Sequence, residues 1–130
     1  MPGEHTYDYA IIRVVPRVER GELINAGVIV SCPTERYLAA RIALDVARLA
    51  ALWPATDPAE VEAALALIPL IAAGDARGGP IAALPRGERF HWLVAPRSAI
   101  IQTSPVHTGL CDQPSTALDQ LIARLVLPAK

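Results

Sequence analysis

The sequence predicts an α+β domain: a mainly antiparallel sheet of about five strands, in the order βββααββα, with helices packed largely on one face. Three observations carry this expectation. The N-terminal part holds three runs rich in β-branched and aromatic residues, separated by turn formers. Two aspartates in the middle, Asp45 and Asp57, stand where helices should start. Near the C-terminus Leu118, Leu121, Ile122, Leu125 and Val126 recur at helical spacing. At 130 residues the chain can build one ordinary core, so residues 1–130 are read as a single domain.

Taken in order, Tyr7 to Arg17 reads as the first strand, and Gly21 supplies the positive φ for a tight turn at Glu19–Glu22. Asn25 to Cys32 is apolar at alternate and intervening positions alike, which marks a central strand. Pro33 opens a turn, and Tyr37 to Leu44 completes a meander. Asp45 caps a short helix ending before Trp53-Pro54. Asp57-Pro-Ala-Glu60 combines an N-cap, a first-turn proline and a glutamate at the third position. Pro69 should kink or end that second helix before Gly74. Gly74 to Pro80 reads as a surface loop. Phe90 to Ala95 alternates as a strand, Pro96-Arg97-Ser98 turns, and Ile100 to Ser104 returns. Asp112 or Ser115 opens the last helix. Its apolar stripe is expected against the sheet together with Ile12, Val14, Val28 and Val30.

A formal net charge of -1 argues against nucleic acid as a non-specific partner and against an anionic membrane surface. Eleven of the twelve basic residues are arginine, which reads as coding bias rather than a selection of phosphate ligands. The longest apolar run, Ala63 to Ala73, contains Pro69 and is shorter than the ~20 residues that span a bilayer. The opening Met-Pro-Gly-Glu-His lacks the charged and apolar regions of a secretion signal, so a cytoplasmic location is expected, with Cys32 and Cys111 as reduced thiols. A mean hydropathy of +0.32 in so small a chain suggests apolar surface covered by a second copy or another partner.

Arg13 is the most informative residue. It interrupts an apolar strand, and a buried guanidinium needs a carboxylate or hydrogen-bond acceptors. Tyr7, Tyr9, Ile11, Arg13, Val15 and Arg17 share one face of a regular strand. Arg13, Arg17 and Arg41 make a candidate anion cradle, with Asn25 beginning the returning strand. Their structural alternative is pairing with Glu19, Glu22 and Asp45. A second block, Phe90 to Gly109, concentrates His91, Arg97, Gln102, Thr103, Ser104 and His107. Ser104 beside His91 or His107 is the minimum for nucleophilic catalysis, yet the glycine-flanked serine of a nucleophile elbow is missing. The alternative has Thr103 and Ser104 finishing a strand. Cys32, His91, His107 and Cys111 are the one candidate metal set; without a Cys-x-x-Cys pair no metal site is expected. No Walker or dinucleotide glycine pattern occurs, and no cofactor is expected.

Tyr7-Asp-Tyr-Ala-Ile-Ile-Arg-Val-Val-Pro-Arg-Val-Glu-Arg-Gly-Glu-Leu-Ile-Asn-Ala-Gly-Val-Ile-Val30 resembles the opening signature of a bacterial family, domain of unknown function 3037. Phe90-His-Trp-Leu-Val-Ala-Pro-Arg-Ser98 and Gln102-Thr-Ser-Pro-Val-His-Thr-Gly-Leu-Cys111 resemble its second signature. The resemblance implies no activity. It does imply a neighbour, because members are often encoded beside a kinase-like protein resembling the HipA toxin kinase. The matching polar positions fall in both blocks, so the two predicted hairpins are expected to meet around one surface.

Two functions follow as alternatives, and the sequence leaves open whether the protein is an enzyme. One is an accessory or interaction domain, partnered by a HipA-like kinase and self-associating as a homo-oligomer, for instance a homodimer. The other is a small enzyme or ligand-binding domain for an anionic substrate, phosphorylated or carboxylated. There Arg13, Arg17, Arg41, Asn25, Arg97, Gln102 and Thr103 bind, while His91, His107 and Ser104 are the catalytic candidates. Arg13 paired to Glu19 or Glu22 in a solid core would sink the second reading; Arg13 free of carboxylates would support it.

Overall fold

The computed structural model describes residues 4–97 and 99–128. The expectations for Met1-Pro-Gly3 and for Ser98 in the turn after Arg97 fall outside these residues. The architecture is α+β, with a five-stranded antiparallel sheet and helices packed against it. Strands β1 (His5–Val14), β2 (Ile24–Cys32) and β3 (Tyr37–Ile42) form the meander, in spatial order β3-β2-β1. Gly21 takes φ 69° at the β1–β2 connection, where a side chain would be strained. Helices α1 (Val46–Leu52) and α2 (Pro58–Ala73) start where Asp45 and Asp57 accept hydrogen bonds from the amides of Arg48 and Ala59. Pro69 does not end α2, which runs on to a left-handed Gly74.

Residues 86–94 depart from expectation. They form helix α3 (Arg86–Val94), not a strand, so there is no second hairpin. The alternation Phe90-Trp92-Val94 suggested period two, but Phe90 and Leu93 are the buried pair and Trp92 is exposed, which is helical spacing. Arg89 fixes the helix: its Nη1 donates to the Leu84 carbonyl (2.6 Å) and its Nη2 to the Ala72 carbonyl (3.3 Å) at the end of α2.

Strands β4 (Ile101–Thr103) and β5 (His107–Cys111) then both pair with β1, antiparallel and one after the other. They are a single sheet-edge strand interrupted at Ser104–Val106. The final helix, α4 (Pro114–Leu125), starts after Gln113, and neither Asp112 nor Ser115 caps it.

Two cores lie on the two faces of the sheet. Ile12, Val14, Ile24, Ala26 and Ile29 meet α1, α2 and α3 through Leu49, Leu65 and Leu93. Val28 and Val30 meet α4 through Leu118, Leu121, Ile122 and Val126. Ile12 and Val14 therefore lie opposite the α4 stripe rather than beneath it, because alternate strand residues face opposite ways. In β2 the alternation slips once. Ile12 faces Gly27 while Arg13 faces Asn25, leaving Ala26 as a bulge that puts Ala26 and Ile29 on the same side.

Candidate functional site

Cross-strand register determines which polar residues meet. Arg13 in β1 lies between Asn25 of β2 and Gln102 of β4, all in paired positions and so on one face, the α4 side. Asn25 Nδ2 donates to the Leu125 carbonyl at 3.0 Å, tying the strand to the end of α4. Gln102 Nε2 donates to the Ala99 carbonyl at 2.8 Å. Arg13 pairs with no carboxylate among the described residues, and its Nε is buried without a protein acceptor. Asn25 Oδ1 is likewise buried and unmatched. Three expected ligands thus converge.

The other arginines do not. Arg17 and Arg20 stay at the β1–β2 turn and pair with Glu19 and Glu22, and Arg17 also stacks 4.9 Å over Trp53. These contacts hold both carboxyls below their usual range, mainly through the arginine hydrogen bonds. Arg41 pairs with Asp119 on α4, while Asp45 caps α1. Arg97 donates to the Trp92 carbonyl and stacks 4.3 Å over that ring. The three-arginine cradle is therefore not assembled.

Ser104 is a structural residue. Its backbone N–H donates to the Ile11 carbonyl at 2.8 Å, as in a regular ladder. The return bond goes to its side chain: Ile11 N–H donates to Ser104 Oγ at 2.8 Å, and Oγ–H donates to the Pro105 carbonyl at 2.9 Å. The hydroxyl replaces a strand carbonyl where the chain bulges outward, and its proton is engaged. Ser104→Ala is expected to cost about 1–3 kcal/mol, the penalty for stranding a buried amide. Urea melts of the two proteins check this; an unchanged midpoint would contradict it.

The histidines are apart. His91 is exposed on α3, and His107 is exposed on β5, its ring 5.3 Å from that of Tyr9 and tilted by 35° to it. Thr103 donates to the Val94 carbonyl at 3.4 Å, on the α3 side. Cys32 and Cys111 are free thiols on the two strands that flank β1. Burial, then the neighbouring Cys32 thiol, pushes the Cys111 thiol up. Among the described residues no three His, Cys, Asp or Glu side chains gather to hold a metal.

Two features were missed in the sequence. Tyr7 and Tyr9 join the Arg13 row as neighbouring rings tilted by 33°, with centroids 5.9 Å apart. Burial, then Tyr9, raises the Tyr7 phenol. The shared strand face was readable, but the neighbouring His107 was hidden by the interruption at Ser104. The second feature is the outer side of β4–β5, which no described strand pairs. Ile100, Val106 and Leu110 are exposed along it, and Trp92 on the helix leading to it. At 67% exposure Leu110 is the most open large apolar side chain on the molecule's described surface.

No helix of the described residues is long and apolar enough to cross a membrane. No curated protein and no solved structure matches the chain. The model of the family described as Protein of unknown function (DUF3037) matches residues 9–126, and the chain belongs to that family.

Proposed function

We propose that this is a non-catalytic interaction domain that docks another polypeptide along its β4–β5 edge. The observation that carries the reading is an unpaired sheet edge bearing exposed Ile100, Val106 and Leu110. Such an edge offers main-chain donors and acceptors for strand addition and apolar side chains for grip. The opposite edge, β3, is a poorer template: it is six residues long, carries the charged Arg41 and exposes no large apolar side chain. The partner class, a HipA-like kinase, comes from the family's neighbours and not from the edge itself. Self-association through the same edge competes with it.

Leu110 pairs with Thr6 in register and points away from the α4 face, so Leu110→Glu charges the edge and leaves both cores alone. Co-purification of a HipA-like kinase from the same genome with tagged wild-type chain is expected, with retention falling about tenfold or more in the variant. Equal retention by both chains would refute edge docking, and so would failure of the wild type either to bind the kinase or to self-associate.

A further inference from the structure

The row on β1 has a second property. Tyr7, Tyr9, Ile11 and Arg13 stand on the α4 side at alternate positions, about 7 Å apart, and all are partly exposed. Helix α4 packs over β2 and β3, and Tyr7 and Tyr9 lie along its flank, partly buried against its apolar cluster and partly open to solvent. Across from Tyr9 stands His107, across from Arg13 stands Gln102, and across from Tyr7 stands Gly109. The glycine is needed: a Cβ there would lie 2.9 Å from the Tyr7 ring, so only its absence lets the phenol lie down over β5. The result is a row of neighbouring rings, Tyr7 and Tyr9 5.9 Å apart and tilted by 33°, Tyr9 and His107 5.3 Å apart and tilted by 35°.

The two ends of the row carry different charged groups. Arg13 closes one end, free of carboxylates among the described residues and with its buried Nε unmatched. Asn25 beside it is tied to the Leu125 carbonyl through Nδ2, with its Oδ1 buried. At the Tyr7 end an open cavity of about 460 Å³ is lined by Glu4, Cys111, Asp112 and Gln113, and its two carboxylates repel anions. We infer that this strip binds a small ligand with a planar aromatic ring and an anionic group, of mononucleotide type. The ring stacks at Tyr9 and His107 and the phosphate meets Arg13. Base stacking on aromatic side chains and bidentate arginine–phosphate contacts supply the two halves of the recognition. A polynucleotide fits less well, because the chain's net charge of -1 gives little attraction for a run of phosphates.

The inference is independent of the edge reading, since Leu110 lies on the other face of β5 and Leu110→Glu should leave ligand binding unchanged. The test is a heteronuclear NMR titration with the four ribonucleoside monophosphates, with adenosine and inorganic phosphate as half-ligands. At least one monophosphate should shift the amides of Tyr9, Ile11, Arg13, Gln102 and His107, and bind about tenfold or more tighter than either half. Arg13→Gln should remove that advantage and leave adenosine binding in place. His107→Ala, an exposed position that does not endanger the fold, should weaken the monophosphate and leave phosphate binding in place. No shifts at millimolar monophosphate would overturn the inference. So would shifts confined to other surfaces, an unaffected His107→Ala, or affinity that rises steeply with the length of an oligonucleotide.

Discussion

Gly27→Val is expected to destabilise the domain by about 3 kcal/mol or more, at the upper end of what overpacking a core costs. Gly27 lies at the bulge in the central strand, and even a Cβ there would be 2.5 Å from the Arg41 carbonyl oxygen and 3.0 Å from the terminal methyls of Ile12 and Ile42. The nearest obstacle is backbone of the paired strand, which cannot swing away as a side-chain tip can. Strands β2 and β3 would have to separate. Urea denaturation should show a midpoint lower by about 1 M or more, or no folded baseline. A midpoint within experimental error of wild type would mean that β3 is not paired there.

Ile122→Ala should cost about 2–5 kcal/mol, the range for deleting a large buried aliphatic side chain. Ile122 is 1% exposed and packs in the cluster of Val28, Val30, Leu118 and Leu121. That cluster seats helix α4 on the sheet's second face, so loosening it would uncover the central strand and strain the Asn25 bond to the Leu125 carbonyl. The same melts read the effect. A loss below about 1 kcal/mol would mean that α4 is a loosely attached appendage and not one wall of the Tyr9–Arg13 strip.

Much of the fold was readable because local chemistry and tertiary packing agree. The aspartate caps of α1 and α2, the positive φ at Gly21 and the stripe of α4 each follow from side chains acting on their own neighbourhood. The failures have one physical source, long-range pairing. Phe90-His-Trp-Leu-Val is short enough to satisfy either period, and the decision for a helix comes from Arg89 reaching the carbonyls of Leu84 and Ala72. The role of Ser104 depends on an amide 93 positions earlier in the chain. A hydroxyl near two histidines resembles a catalytic pair in one dimension, and only the register shows it completing a strand.

The candidate site shows the same division. Arg13 stands out in the sequence because an arginine among apolar residues is costly wherever it goes. Asn25 and Gln102 become its neighbours only through the pairing of β1 with β2 and β4. Arg17 and Arg41, which look equivalent in the sequence, are satisfied by Glu19 and Asp119, the second of which lies 78 positions away. The open edge could not be foreseen at all, since a strand's free side depends on what every other strand does.

Hydrogen–deuterium exchange of the backbone, measured on the free chain and after addition of the proposed partner, a HipA-like kinase or a second copy, tests the central claim most directly. Edge docking predicts slowed exchange at residues 101–111 on binding, with Tyr37–Ile42 of β3 unchanged. Protection confined to β3 or to the helices, with residues 101–111 exchanging as in the free chain, would contradict it.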